Sequence, residues 1–585
     1  MRPHAWPALA GLVLGLLALG PALARGFVLS YDMVFVPHPP VGYADIGYGG
    51  GPPRSVPSDL VVALAAKIVP ADVVQKLILI AIFVLACAGA AALITARWPP
   101  LQRGGRMDPR IDPGFADGSG DPSDEDSVRR GQSAPLVAVL AAGVCYAWNP
   151  FVAERLIMGQ WAMLLGYAGL PWVLRELLRR DGQIRIWRLA AAMIPAAVGG
   201  FAAMSVTVIA ALVVALWAGS GRQERIRRLA LTVGVIAVAS LPWLIPSLVN
   251  PVHANPAGVA AFAARADTPF GTLGSLLMLG GIWNAEAVPA GYGGHVSAFW
   301  LVVVALAVAG HAGAARPRRI CPGSGVAAVI GLCVAGLGLT EVTRAGLRSA
   351  IAFWPGFALL RDGQQFLAPL ALTLALGLGA GAGALIVAAN APGTSRLIRA
   401  GESARGPASL LGVLALIAPV LLLPGLAWGA AGRLQPVQYP ADWIRARQII
   451  EAGKPGGAVL LLPWAQYRRY PWNHGEAVFD PWPRFVDKPM IWNDALRVGP
   501  RTVPAESESA RRLTRVITSP GPRTGALVAA GVRYVVVDSG SLLRNDRQDL
   551  GRLAALARLP GAQVMLASQD LVLFRLPTHG SRAGR

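Results

Sequence analysis

Three short stretches set charged side chains against apolar sequence. In SYDMVFVP (30–37), Asp32 stands a few residues past an N-terminal apolar run; in NPFVAERLIMGQW (149–161), Glu154 and Arg155 are adjacent; in LLRDGQQF (359–366), Arg361 and Asp362 precede another apolar run, with Gln364 and Gln365 behind them. Charge at membrane depth is costly, so side chains kept there are functional candidates by default. A carboxylate in such a place can take a proton from a hydroxyl, and the planar fork of an arginine can hold a phosphate through two parallel hydrogen bonds. Simpler roles compete at each position: Asp32 solvated among headgroups or paired with Arg25, Glu154 and Arg155 as an interfacial ion pair, Arg361 as a snorkelling anchor. Arg54, Ser55 and Asp59 in GPPRSVPSD share the first loop with Asp32, and His295 in GYGGHVS is a further hydrogen bonder.

What must position these residues is a set of membrane helices. The 585 residues are 54% hydrophobic and only 15% charged, with a mean hydropathy of +0.49, and the apolar excess lies in long runs. This is the composition of a polytopic membrane protein rather than a soluble one. The net charge of +21 sits largely in short arginine clusters between apolar segments, which is a topology signal and not a nucleic-acid footprint. The four cysteines show no metal-ligand spacing.

A membrane span needs about 20 apolar residues. The runs that qualify predict about eleven helices, near 8–24, 71–96, 134–149, 161–177, 189–202, 204–218, 229–249, 296–313, 323–340, 366–389 and 408–430. The stretch 189–218 is too long for one span, and GGFAAMS inside it reads as a tight hairpin between two short helices. Glycines 377, 379, 381 and 383 lie within an apolar span with no strand before them, so they read as small-residue helix packing and not as a dinucleotide loop.

Arginine placement gives the orientation. The clusters Arg179/Arg180/Arg185/Arg188, Arg222/Arg225/Arg227/Arg228, Arg316/Arg318/Arg319 and Arg396/Arg399/Arg405 share one side, and the opposite loops 150–160, 250–295 and 341–365 hold only Arg155, Arg265, Arg344, Arg348 and Arg361. The positive-inside rule then puts the N-terminus in the cytoplasm, the loop 25–70 outside, and the C-terminal part outside. The first run, ending in Ala22-Leu23-Ala24, also fits a cleavable signal peptide, which would not move the other loops. Residues 97–133, rich in Asp, Pro, Gly and Arg, have the composition of a disordered cytoplasmic loop.

Two regions follow: a transmembrane part, 1–431, and a soluble extracytoplasmic α/β part, 432–585. In the second, DWIRARQIIEAG reads as helix, and GAVLLLPW, VRYVVVDSG and AQVMLASQDLVLFRL read as strands. Between them, PWAQYRRYPWNHGEAVFDPWPRFVDKPMIWND gathers Trp464, Tyr467, Trp472, Trp482 and Trp492 among charged residues. Such rings suit stacking on sugars, an interfacial belt, or a packed core.

The phrases SYDMVFVP, NPFVAERLIMGQWAMLLGYAGLPW, FALLRDGQQFLAPLAL, VLLLPW and GVRYVVVD, with an acid just after the first helix, a long first outer loop and a C-terminal outer region, resemble the GT-C class of glycosyltransferases. The similarity is to the large actinobacterial cell-envelope arabinofuranosyl- and mannosyltransferases and the related YfhO-type membrane proteins. It implies a GT-C-like fold and an inverting transferase that takes a sugar from a polyprenyl-phosphate donor, on the outer face of the plasma membrane, to an envelope glycan or glycolipid. On that resemblance Asp32 is the base and Glu154 a second acid; Arg155, Arg361, Arg54 and Gln364 are donor or phosphate contacts; and Trp464, Tyr467, Trp472, Trp482 and Trp492 are glycan contacts. Partners are then the lipid-linked sugar, the glycan acceptor and membrane lipids, with no nucleic acid. Many GT-C enzymes carry two adjacent acids in the first loop, whereas Asp32 is followed by Met33. One carboxylate rarely holds a divalent ion alone, so no cofactor is assigned and a divalent cation stays open. A non-enzymatic member of the fold, moving lipid-linked glycans or scaffolding envelope assembly, is the alternative.

Overall fold

The computed structural model describes residues 5–47, 55–98, 135–179, 181, 183–219, 221–249, 254–314, 321–389, 405–453, 456–499, 501–519, 522–538, 559–568 and 571–577. The expected loop 97–133 falls almost wholly outside the described residues.

Among the described residues, seven helices are long and apolar enough to cross a membrane: Ala5–Leu23, Ala71–Arg97, Leu136–Ile157, Ile186–Ala218, Arg222–Val249, Val296–Gly313 and Gly363–Val387. Two bent pairs, Ser324–Gly338 with Glu341–Phe353 (94°) and Leu410–Leu422 with Pro424–Gly432 (54°), bring the number to nine if each is one span. The molecule is therefore a multi-pass, mostly helical membrane protein with a sheet-bearing C-terminal region. Leu136–Ile157 is central, with 83% of its most apolar window inside the protein, whereas Arg222–Val249, at 22%, is peripheral and turns its apolar surface outward.

The stretch expected as a helical hairpin, Ile186–Ala218, is two helical segments that meet at Gly200 (φ 72°, ψ −148°). Pro195 packs on Gly169 and Gly199 on Ala162; beyond the break, Ala203 packs on Gly166, and the Thr207 hydroxyl lies 3.4 Å from the Gly166 carbonyl. The chain thus runs along the helix Trp161–Leu177 and then back along it. Only glycine adopts that backbone conformation without strain, and a Cβ at Gly200 would stand 2.4 Å from the Val56 carbonyl.

Arginines gather at one end of the bundle. Arg97 donates to the Leu178 carbonyl (3.2 Å) and Arg228 to that of Leu177 (2.6 Å), so the ends of three helices meet there and use cationic side chains to satisfy carbonyls the helices leave open. The glycine run of Ala368–Ala389 allows close approach on two sides. A Cβ at Gly377 would lie 2.0 Å from the Ala307 carbonyl, and one at Gly379 2.5 Å from that of Ala138, as small-residue packing in a membrane requires.

In the C-terminal region, strands Gln563–Ala567, Leu571–Arg575, Val532–Asp538, Ala458–Leu462 and Met490–Ile491 form a mixed sheet in that order. Ala458–Leu462 is parallel to both of its neighbours. Successive side chains point to opposite faces. Val459, Leu461, Tyr534 and Val536 join a core continuous with the membrane helices, whereas Leu460, Leu462, Val535 and Val537 face Leu513 and Ile517 of the helix Glu508–Thr518. Two backbone pairings tie the first loop to this region. Phe27–Val28 pairs with Pro436–Val437, and Tyr31 (φ 43°) exchanges hydrogen bonds with Ala477 and Phe479 at 2.6 and 2.8 Å. Tyr31 thereby adds to the edge of the hairpin formed by Tyr467–Arg469 and Ala477–Phe479.

Candidate functional site

The site grows from the break after the helix Leu136–Ala147. Asn149 caps the next helix, Pro150–Ile157, accepting from the Val152 amide at 3.1 Å, with Pro150 in the first turn, the usual start for a helix. All eight residues of this short helix are buried, Glu154 and Arg155 among them. It ends at Gly159 (φ 69°), where a Cβ would meet the Ser30 carbonyl at 2.0 Å and the Met33 amide at 2.3 Å. The bare glycine lets the first loop lie directly on the helix end, where the Asp32 amide donates to the Met158 carbonyl at 3.1 Å.

Asp32 then heads a chain of polar contacts. Tyr467 donates its hydroxyl to Oδ1, and Gln160 Nε2 lies 3.4 Å from Oδ2. Gln160 accepts from Arg155 at 2.6 Å. The Arg155 guanidinium also makes a two-pronged contact with Asp362, at 2.8 and 3.1 Å, and donates to Gln364. Gln364 in turn donates to Glu154 Oε2 at 2.9 Å, and the carboxyl of Asp267 lies beside that of Glu154. Burial pushes the Asp267 carboxyl above the usual carboxylate range, against the amide hydrogen bond from Gly281. Asp32, Glu154, Arg155 and Gln364, drawn from three stretches far apart in sequence, thus occupy one connected network at the end of the bundle opposite the arginine clusters.

Arg361 sits beside this network. It donates to Glu506 (2.8 Å) and to the Asn255 carbonyl (3.3 Å), with its guanidinium 5.6 Å from the Phe262 ring centre. A second cluster flanks Asp32 on the other side, where Tyr31 and Arg469 both donate to Glu286. Burial and the Glu286 carboxylate push the Tyr31 hydroxyl up to about 12. Burial would raise Glu286, but hydrogen bonds from Tyr31 and Arg469 hold it below its ordinary value.

The remaining expected residues lie apart. Arg54 lies outside the described residues. Asp59 and Ser55 receive Arg484, at 2.8 and 3.3 Å, and His295 is exposed at the start of the helix Val296–Ala314. The expectation of a glycan contact at Trp482 is corrected: its ring is wholly buried and stacks on Trp443 at 4.5 Å, leaving no face for a sugar. Trp472 stacks on Tyr470 at 4.8 Å, Trp464 donates to Thr514 at 2.8 Å, and Trp492 is half-buried against the main core. Among the described residues no three His, Cys, Asp or Glu side chains converge to hold a metal ion.

Gln160, Asp267 and Glu286 did not stand out in the sequence. A signal existed for the two acids, since they stand in the long loop 250–295 facing the same end as Asp32.

A bundle of membrane helices whose polar end is closed by a small sheet-bearing region defines the class: a multi-pass membrane protein with its candidate site at one end of the helix bundle. The chain belongs to the GT-C AftD family, whose model, described as alpha-(1->3)-arabinofuranosyltransferase, N-terminal GT-C domain, matches residues 129–562. Its fold is similar to that of arabinofuranosyltransferase AftD from Mycobacteria, with a TM-score of 0.56 at 16% identity over 99% of this chain and 40% of that one. Two structures of a mutant of that protein match at TM-scores of 0.55 and 0.52, with 17% and 16% identity, covering 99% and 98% of this chain and 42% and 41% of those. The chain thus spans about two fifths of the length of the solved proteins it matches. No curated protein sequence matches it.

Proposed function

We propose that this protein is an integral-membrane glycosyltransferase that moves a sugar from a polyprenyl-phosphate donor to a cell-envelope glycan on the extracytoplasmic face. The observation that carries the reading is the polar network running from Asp32 through Gln160 and Arg155 to Glu154, in a chain of this family. Eleven spans, a cytoplasmic N-terminus, and an outer region from about residue 432 belong to the same reading. They would put the network on the outer face, where lipid-linked donors meet growing glycans.

In this mechanism Asp32, partly exposed and gripped from both sides, takes the proton of the acceptor hydroxyl as it attacks the anomeric carbon. Arg361, the more accessible of the two arginines at 15% exposure, is the better placed to meet the departing phosphate. Arg155 is fully buried with its fork filled by Asp362, so its part is to fix Gln160 and Gln364, and contact with phosphate would require Asp362 to move. That internal satisfaction is also what favours the second reading, a non-catalytic member of the fold that carries or scaffolds lipid-linked glycans.

The deciding experiment is Asp32→Asn in purified, detergent-solubilised protein, assayed for transfer from a panel of radiolabelled polyprenyl-phosphate sugars. A base in this position contributes about 10²–10⁴-fold. The expected result is a loss of that size at unchanged expression. Transfer retained by the variant would remove Asp32 from catalysis, and a parent inactive with every donor would leave the non-catalytic reading standing.

A further inference from the structure

Strand alternation gives the hairpin at 467–479 two faces. Arg468 points inward, pairing with the buried Asp480 at 2.9 Å and donating to the Pro463 carbonyl at 3.0 Å. Tyr467 and Arg469, on either side of it, point the other way: Tyr467 reaches Asp32 and Arg469 reaches Glu286. The C-terminal region therefore delivers a hydroxyl directly onto the candidate base.

We propose that the Tyr467 hydroxyl stands where the acceptor hydroxyl must stand, so that the hairpin is the movable wall of the acceptor subsite. This rests on the reading of Asp32 as the base. A general base accepts a hydrogen bond from the hydroxyl it will deprotonate, and the phenol makes that bond to Oδ1. The other oxygen, Oδ2, faces Gln160 and the interior of the bundle, so an entering acceptor exchanges with Tyr467. Once it has done so, its oxygen bonds to the anomeric carbon and its proton passes to Asp32. The bond between the anomeric carbon and the phosphate oxygen breaks, and the phosphate leaves with that electron pair.

The attachments of the hairpin suit such a movement. On the side of its own region it is anchored by the buried Arg468–Asp480 pair. On the side of the site it is held by two backbone hydrogen bonds of Tyr31, by Asn473 donating to the Leu29 carbonyl at 3.3 Å, by Arg433 on Glu476, and by the pair Arg469–Glu286, whose carboxylate side chain is 55% exposed. A pair so open to water holds weakly.

The test measures binding of a synthetic octyl arabinofuranoside to the full chain, together with the kinetics of its use as acceptor. Tyr467→Phe keeps the ring, which packs 5.7 Å from Phe479, and removes only the competing hydroxyl. It is expected to tighten acceptor binding and lower the acceptor KM by about tenfold, the size of a lost hydrogen bond to a charged group, a larger effect than any on kcat. The gain is expected to vanish in an Asp32→Asn background, since the two residues act through one contact. Glu286→Gln, which loosens the hairpin without touching Asp32, is expected to move affinity in the same direction by less. Weaker acceptor binding in Tyr467→Phe, or a fall in kcat at constant KM, would overturn the proposal while leaving Asp32 as the base, because Tyr467 would then serve only to orient the carboxylate. A wild-type chain that neither binds nor transfers overturns both.

Discussion

At the scale of single residues, the buried guanidinium of Arg155 governs the site's stability. Its charge is fully enclosed and balanced by Asp362, which is 22% exposed. Breaking such a pair from the acidic side leaves a cation in low dielectric, whereas replacing both partners by apolar groups of similar volume is often tolerated. Asp362→Asn is therefore expected to lower stability by about 3 kcal/mol, and Arg155→Met combined with Asp362→Leu by less, both read from thermal unfolding in detergent. A single substitution no worse than the double would show that the pair carries no such strain. The sequence placed Arg155 and Asp362 beside membrane runs but could not show that they face each other across 207 positions. The sequence leaves Arg155 open between an ion pair and a phosphate ligand, and the structure fills its fork with Asp362.

At the scale of elements, two glycines decide how the helices receive the loops. Gly159 needs a positive φ and has no room for a Cβ beneath the backbone of Ser30 and Met33. Gly159→Ala is expected to cost at least about 1–3 kcal/mol in backbone strain, to push the first loop off the helix end, and to reduce transfer as Asp32 leaves Gln160. Gly234→Ala, in a peripheral helix with nothing within 4 Å of the added methyl, serves as the control, with an unfolding temperature unchanged or raised. Equal melting and equal activity for the two variants would refute this account of Gly159. Hydropathy made most of the helices legible, and β-branched runs revealed the strands Ala458–Leu462 and Val532–Asp538. Short elements are hidden: the three-residue strands of the hairpin carry no periodicity to detect, and Trp472 and Trp482, for which the sequence leaves sugar stacking, an interfacial belt and core packing open, pack with Trp443 from a separate helix.

At the scale of the molecule, the two ends of the bundle differ in kind, one collecting arginines against helix carbonyls and the other the polar network and the sheet. If the positive end is cytoplasmic, a cysteine placed at Arg512, on the exposed face of its helix, is expected to react with a membrane-impermeant maleimide in intact cells, and one at Arg227 only after lysis. The reverse pattern would invert the topology. The link between Asp32 and Tyr467 also has a temporal meaning, because 435 positions separate the partners. At roughly 5–20 residues per second of synthesis, the carboxylate leaves the ribosome on the order of 20–90 s before the hydroxyl that covers it. Over that interval the nascent chain adds its helices one after another but has neither hairpin nor sheet, and the first loop has no edge on which to settle. Enclosure of Asp32 therefore waits on a single late segment: a ribosome that stalls before residue 480 would leave an inserted bundle whose candidate base has never been enclosed.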